Sequence, residues 1–211
     1  MKIPKKTIKR LSLYYRCLYF LAQQGTFNLS SKSLADLLDV EPSQVRKDLS
    51  YFGQFGKKGQ GYNVIDLKRE IASILGLEKG RKVAIIGMGN LGTALLAYKG
   101  FEVLGFQVVA IFDSSTNKIG KKYRGKLCMD IADFPKIAKA DNIEMAILTV
   151  PTEAAQEVAG ILTNAGVKAI LNFAPAHLSV PKDVQVSNVD LAVELKSLSF
   201  FVRHKLGIKS T

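Results

Sequence analysis

The sequence predicts an α/β chain in two parts: a small helical head with a glycine-rich β wing, then a doubly wound parallel sheet followed by one long terminal helix. Three observations predict it. Two short helical stretches within residues 31–52 are followed by four glycines in nine residues, Gly53, Gly56, Gly59 and Gly61. An apolar run over residues 82–86 leads directly into Gly87-Met88-Gly89-Asn90-Leu91-Gly92. Apolar runs and helical periodicity then alternate to residue 189, the βαβ pattern of a parallel sheet. A length of 211 residues fits one or two domains, and 47% apolar content is enough to build their cores.

In the head, Leu11, Tyr15, Leu18 and Ala22 recur at 4-3-4 spacing, which predicts a helix over residues 7–24 that Gly25 ends. Ser30 or Ser31 suits the cap of a second helix, with Leu34, Ala35, Leu37 and Leu38 on its inner side. Glu41-Pro42-Ser43 breaks that helix and starts a third, with Pro42 in its first turn. Val45, Leu49 and Phe52 form the buried face of this third helix, and Gly53 is placed to stop it. The glycines that follow, with Lys57 and Lys58 at their centre, read as a hairpin with a basic tip and Tyr62-Asn63-Val64-Ile65 as its return strand. Asp66 suits the cap of a linking helix bearing Leu67, Ile71, Ile74 and Leu75, which Gly76 ends. Glu78-Lys79-Gly80 reads as the joint, so the head spans residues 1–78.

The second domain, residues 79–189, is expected to hold strands over 82–86, 106–112, 145–150, 168–172 and 184–189, with helices over about 91–98 and 152–164. The polar segment 114–127, carrying Lys118, Lys121, Lys122 and Arg124, reads as a loop. In the last segment, 190–211, Leu191, Leu195, Leu198 and Val202 form one stripe while Ala192, Phe200 and Phe201 lie off it. A helix apolar over so wide an arc has two faces to bury; its own sheet and a second subunit are both open as covers.

The formal net charge is +12, and its basic excess is concentrated at the start. Residues 1–70 hold 13 Lys and Arg against 6 Asp and Glu, whereas residues 71–211 hold 17 against 12. That favours a polyanionic partner for the head, through release of counterions from phosphates; a merely solvated basic surface is the bland alternative. Cys17 and Cys128 have no zinc-ligand spacing and are too few for a disulfide scaffold. The opening Met-Lys-Ile-Pro-Lys-Lys-Thr lacks the apolar stretch of a signal peptide, and no run of 18 apolar residues follows, so a cytoplasmic protein with no membrane partner is expected.

A GxGxxG motif alone is weak. Here it follows a strand, opens a helix, and has Asp113 at the end of the next strand. Gly87 serves the tight turn, Gly89 the approach of a pyrophosphate to the backbone, and Gly92 the close packing of helix on strand. Unpaired N–H groups at the helix start, Asn90 and Leu91 among them, attract the phosphates. Asp113 favours NAD(H) over NADP(H), because a carboxylate accepts a ribose 2′-hydroxyl and repels a 2′-phosphate. Lys118, Lys121 and Lys122 soften that inference, although their distance in sequence places them in a loop away from the ribose. The strand ends Thr149-Val150-Pro151 and Asn172-Phe173-Ala174-Pro175 should line the same crevice. A dehydrogenase needs a proton relay, for which His177 is the one tempting candidate; an ordinary loop histidine explains it as well, and no enzyme is expected.

On the third helix, the face opposite the buried stripe carries Ser43, Gln44, Arg46, Lys47, Ser50 and Tyr51. Arg and Lys read guanine, Gln reads adenine, and Ser holds phosphate, so this helix suits the major groove of duplex DNA, with Lys57, Lys58 and Gly59 at the wing tip. A helical protein-interaction module is the alternative. Asp48 is out of place on such a face; orienting Arg46, Lys47 or a backbone amine suits it better than meeting DNA.

At these motifs the chain resembles the Rex family of redox-sensing transcriptional repressors. The resemblance runs over nearly the whole length. It is specific at Val45-Arg46-Lys47-Asp48-Leu49-Ser50-Tyr51-Phe52-Gly53, at Phe55-Gly56-Lys57-Lys58-Gly59 with Gly61-Tyr62, and at Gly87-Met88-Gly89-Asn90-Leu91-Gly92-Thr93. Asn172-Phe173-Ala174-Pro175 and Asn188-Val189-Asp190-Leu191 carry it further. It implies a homodimer with an N-terminal winged helix, a Rossmann domain and a C-terminal helix exchanged between subunits. It implies that NADH and NAD⁺ compete for one site, that NADH releases an inverted-repeat operator, and that Arg16, Tyr98 and Asp190 form a switch. The rivals are a small NAD-dependent oxidoreductase with a basic module, and a regulator whose phosphate loop takes another ligand such as an acyl-CoA.

Overall fold

The computed structural model describes residues 3–56 and 59–205. The chain divides into two compact units, Met1–Gly80 and Arg81–Thr211. Lys57 and Lys58, expected at the wing tip, lie outside the described residues, as does everything after Lys205.

In the first unit, α1 (Lys5–Gln23) buries Thr7, Leu11, Tyr14 and Leu18. The spacing is the expected 4-3-4, but the stripe starts at Thr7, so Tyr14 faces inward and Tyr15 is only half-buried. After β1 (Asn28–Leu29), α2 (Ser31–Asp36) starts at Ser30, whose Oγ accepts a hydrogen bond from the Ser33 amide at 2.9 Å. Leu34 and Ala35 are buried as expected. Leu37 is not; it is 57% exposed, because α2 has ended and Asp39 turns the chain through left-handed backbone at φ 52°. α3 (Pro42–Ser50) follows, with Val45, Asp48 and Leu49 buried and Phe52 packed against the same core.

The expected hairpin is built differently. Its return strand β2 is only Tyr62–Asn63, and Val64 and Ile65 already belong to α4 (Val64–Ile74). Asn63, not Asp66, caps that helix, its Oδ1 accepting from the Asp66 amide at 3.0 Å. The partner of β2 is β1, antiparallel, with Asn28 opposite Asn63 and Leu29 opposite Tyr62. The wing thus closes onto the segment ahead of the α2–α3 pair. Gly61 permits this approach: its φ is +74°, and a Cβ there would stand 2.6 Å from the Leu29 carbonyl oxygen.

The second unit runs β3 (Arg81–Ile86), α5 (Asn90–Leu96), α6 (Gly100–Val103), β4 (Phe106–Asp113), β5 (Lys122–Tyr123), β6 (Lys126–Asp130), α7 (Phe134–Asp141), β7 (Met145–Leu148), α8 (Thr152–Asn164), β8 (Ala169–Asn172), β9 (Gln185–Asn188) and α9 (Leu191–Lys205). The strands form one sheet in the order β5-β6-β4-β3-β7-β8-β9, parallel except for β5. Residues 114–127, expected as a loop, contain β5 and the start of β6. Arg124 and Gly125, at φ 48° and 80°, make the tight turn between them. Of the charged residues that made this stretch look unstructured, Lys122 lies on this edge strand, where charge is normal, and Arg124 in its turn.

Strand side chains alternate between two cores. Ala84, Ile86, Phe112, Leu148 and Ile170 face the core that includes Phe134 of α7 and Ala155, Ala159 and Leu162 of α8. Val83, Ile85, Ile111 and Ile147 face the other, where Leu95, Leu96 and Phe101 of α5 and α6 pack. The helix-free connection between β8 and β9 packs Ala174, Leu178 and Val184 into the first core, and on the second face α5 and α6 cover only part of the sheet. There an apolar groove of about 250 Å³ remains, lined by Val83, Phe101, Met145, Ile147, Leu171 and their neighbours. The terminal helix exposes Leu191, Val193, Leu195, Leu198, Phe200, Phe201 and Val202, each at least half accessible.

Candidate functional site

The order of strands reverses between β3 and β7, which lie side by side in the middle of the sheet. At such a switch point the connections leave in opposite directions and open a crevice at the carboxyl ends of the strands. A cleft of about 520 Å³ lies there, lined by Ile86, Gly87, Gly89, Asp113, Ser114, Ser115, Lys118, Ile131, Thr149, Val150, Pro151, Ala154 and Val158.

The glycine loop is held rigidly. The Gly87 amide donates to the Phe112 carbonyl at 2.8 Å. The Thr149 hydroxyl donates to the carbonyls of Ile86 and Gly87, at 3.0 and 2.7 Å. The three glycines differ in what they accommodate. A Cβ on Gly87 would fall 2.8 Å from the Thr149 carbonyl oxygen, and one on Gly92 would fall 1.9 Å from that of Gly87. A Cβ on Gly89 would meet nothing within 4 Å. The chain's own packing therefore requires the outer two glycines, while the middle one leaves open space over the loop.

Asp113 is 7% exposed and joins this loop to the turn after β4. Its Oδ2 accepts from the Met88 amide at 2.7 Å and from Lys118 Nζ at 2.9 Å; its Oδ1 accepts from the Ser115 amide at 2.9 Å. Burial pushes its carboxyl up, but the hydrogen bonds from Lys118 and the two amides outweigh that and hold it below the usual carboxylate range. The expectation that Lys118 lies in a loop away from the ribose is corrected: residues 115–119 fold back in a turn that returns the ammonium to Asp113. Across the cleft, Ile131, Val150, Ala154 and Val158 supply an apolar wall suited to a flat base.

Of the sequence-derived nucleotide residues, Gly87, Gly89, Asp113, Val150 and Pro151 line this cleft and Gly92 lies buried beneath it. Asn90, Leu91 and Thr93 are exposed in the first turn of α5. Asn172 does not reach the cleft lining. It is 1% exposed, and it holds the following turn together through Ala174, Ala176 and Asn188. Phe173 is half-buried, Ala174 is buried in the sheet core, and Pro175 and His177 are exposed. Tyr98 stands between α5 and α6, 57% exposed, its ring edge-on to Phe101 at 5.1 Å. Asp190 caps α9, its Oδ1 accepting from the amides of Ala192 and Val193 at 2.9 and 3.1 Å. Arg16 is exposed on α1. Ser114, Ser115, Lys118, Ile131, Ala154 and Val158 were not foreseen in the cleft, because they belong to no short motif.

In the head, Ser43, Arg46, Lys47 and Ser50 are exposed along α3, Tyr51 is half-buried just beyond it, and Gly59 is exposed. Arg46 Nη1 donates to Ser31 Oγ at 3.0 Å and the Ser50 hydroxyl to the Lys47 carbonyl at 2.8 Å. Gln44 points differently: its Nε2 donates to Asp48 Oδ1 at 2.9 Å. Asp48, fully buried, orients neither Arg46 nor Lys47. It accepts from Thr7 Oγ1 at 3.0 Å, from the Tyr14 hydroxyl at 2.8 Å and from Arg10, whose Nη2 lies 2.7 Å from Oδ1. Burial pushes the Asp48 carboxyl up, but hydrogen bonds from Arg10, Tyr14, Thr7 and Gln44 hold it low. The same burial, with the carboxylate alongside, raises the Tyr14 phenol. Asp48 thus fastens the exposed basic helix to α1. Its place three residues after Val45, on the buried stripe, was the available signal.

Among the described residues no group of His, Cys, Asp and Glu could hold a metal ion. None of their helices is long and apolar enough to cross a membrane.

Known proteins resemble both units. Residues 2–50 match a family described as putative DNA-binding protein N-terminus, and residues 78–176 match one described as CoA binding domain. The redox-sensing transcriptional repressor Rex of Desulfitobacterium hafniense is 48% identical over 96% of each chain. Rex 1 of Thermotoga maritima is 44% identical over 94% of this chain and 95% of its own. The crystal structure of RSP with β-NAD⁺ and operator DNA superimposes with a TM-score of 0.90 at 38% identity, covering 97% of this chain and 94% of that one. RSP with β-NADH gives 0.85 at 36% identity, covering 97% and 96%.

Proposed function

The chain belongs to the Rex family of redox-sensing transcriptional repressors, and from that premise we propose that it binds an inverted-repeat operator as a homodimer and lets go when NADH binds. It is a DNA-binding regulator rather than an enzyme, and NADH and NAD⁺ are its signals rather than its substrates. The observation that carries the reading is the pairing, in one chain, of a cleft beside the glycine loop and Asp113 at the sheet's switch point with an exposed cationic helix in the head. This reading puts the protein in the cytoplasm with its DNA.

Gly87, Gly89 and the start of α5 hold the pyrophosphate, Asp113 meets the adenosine ribose, and the wall formed by Ile131, Val150, Ala154 and Val158 takes the adenine. Arg46 and Lys47 contact DNA with Ser43 and Ser50 at the phosphates, whereas Gln44, tied to Asp48, has one amide end engaged before DNA arrives. Two such helices about one duplex turn apart match an inverted repeat. Oxidised nicotinamide is a planar cation and reduced nicotinamide is neutral. Only a difference in their affinity for the two dimer states shifts the balance, with NADH favouring a closed dimer whose heads are out of register. Arg16, Tyr98 and Asp190 are the residues assigned to that switch.

Exchange of α9 between subunits is part of the proposal. Two features support it: α9 is exposed from Leu191 to His204, and the sheet face at β7 and β8 carries an open apolar groove. A second copy supplies the missing cover without leaving either apolar surface in water.

The test is an anisotropy titration on an inverted-repeat duplex with NADH, NAD⁺ and coenzyme A added separately. Release by NADH but not by excess NAD⁺ is expected. DNA binding indifferent to both nucleotides would overturn the coupling, and release by coenzyme A alone would reassign the cleft.

A further inference from the structure

We propose that Lys118 is a specificity-determining residue of the nucleotide cleft, one that weakens the barrier Asp113 raises against a 2′-phosphorylated dinucleotide. The inference rests on the cleft being the dinucleotide site and concerns one atom of that ligand, the 2′-oxygen of the adenosine ribose.

A carboxylate at the end of the second strand of such a fold ordinarily excludes a 2′-phosphate in two ways. It repels the phosphate charge, and it offers only acceptors where phosphate also offers only acceptors. Asp113 does not stand alone. Lys118 Nζ lies 2.9 Å from its Oδ2, and the amides of Met88 and Ser115 take further positions on the two oxygens. The ammonium cancels the unit charge over the short distance that matters. Moreover, the cleft wall next to the carboxylate is made of Ser114, Ser115 and Lys118, a set rich in hydrogen-bond donors.

The Lys118 side chain keeps 35% of its accessibility, whereas that of Asp113 keeps 8%, so Lys118 is the partner with room to turn. With a 2′-hydroxyl bound, Asp113 accepts from the hydroxyl while Lys118 stays on its other side. With a 2′-phosphate bound, Lys118 turns to the phosphate, which carries a charge of roughly −1.5 to −2 near neutral pH. The same side chain therefore acts on the two ligands unequally, and that inequality is what a specificity residue requires.

The experiment measures Kd for NADH and for NADPH on the full chain and on Lys118→Met, Lys118→Arg and Asp113→Asn. The readout is the ratio Kd(NADPH)/Kd(NADH), which a merely structural role would leave unmoved. In Lys118→Met the ratio should rise on the order of tenfold, because a charge is removed within a few ångströms of the phosphate in a partly screened site. Lys118→Arg should hold the ratio near that of the unaltered chain, and Asp113→Asn should lower it. A ratio unchanged in Lys118→Met, with both affinities falling together, would overturn the proposal and leave Lys118 as a brace for the turn after β4. Failure of the unaltered chain to bind NADH is a different result: it breaks the dinucleotide reading itself.

Discussion

Each unit of this protein buries one anchored aspartate, and the two are used in opposite ways. Asp48 in the head is closed: Thr7, Arg10, Tyr14 and Gln44 surround it with side-chain donors from α1 and α3, and none of it is accessible. Asp113 in the sheet unit is half open: two backbone amides and one partly exposed ammonium hold it at the wall of a cleft. A carboxylate whose acceptors are filled by four side chains fixes the geometry of neighbouring helices. One held from behind by its own backbone remains able to meet a ligand.

The sharpest way to break this contrast is Asp48→Ala. Removing one partner from a buried, hydrogen-bonded ion pair strands the others, and the head should lose about 3 kcal/mol of stability. Denaturant melting should show a weakened first transition, operator binding should fall with it, and NADH affinity should stay as it was. Loss of NADH binding in that variant would contradict the division of labour.

A smaller and cleaner effect is expected from Arg46→Ala and Lys47→Ala. Each should cost about 1–3 kcal/mol of operator affinity if it reads a base, or should flatten the salt dependence by roughly one ion if it holds phosphate. The melting curve and NADH binding should not move. Titrations at several salt concentrations distinguish base reading from phosphate contact.

The smallest effect is on the acid limb of stability, where both aspartates act in the same direction. Each carboxyl sits below its ordinary value in the folded chain, so each stabilises fully above the unfolded value of about 3.9, and that contribution is lost as pH falls through the lower folded one. Asp48→Asn should flatten the fall in stability below about pH 4 and change little at neutral pH beyond a constant offset. An unchanged acid limb would mean that Asp48 is no better bonded folded than unfolded.

Most of the order of elements was legible in the sequence because it rests on local terms; α6, β5, β6 and α7 were not foreseen. Apolar spacing marks helices and strands, Pro42 and Ser30 mark helix starts, and Gly87 and Gly92 sit where no Cβ fits. The glycine loop, Asp113 and the exposed cations of α3 follow from such patterns. Other features depend on what the folded chain brings near. The pairing of β2 with β1 joins residues more than thirty apart, and no turn signal links them. The β5–β6 hairpin was hidden because an edge strand tolerates lysines, so its composition matches that of a loop. Lys118 on Asp113, Arg10 on Asp48 and the inward turn of Tyr14 are choices among rotamers and faces that a 3.6-residue period leaves open. The sequence by itself thus determined most of the elements and which chemistry each unit carries, since hydrophobic period and backbone sterics act within a few residues. Only the tertiary structure decided which carboxylate is closed and which is left at a cleft, since that depends on donors arriving from distant parts of the chain.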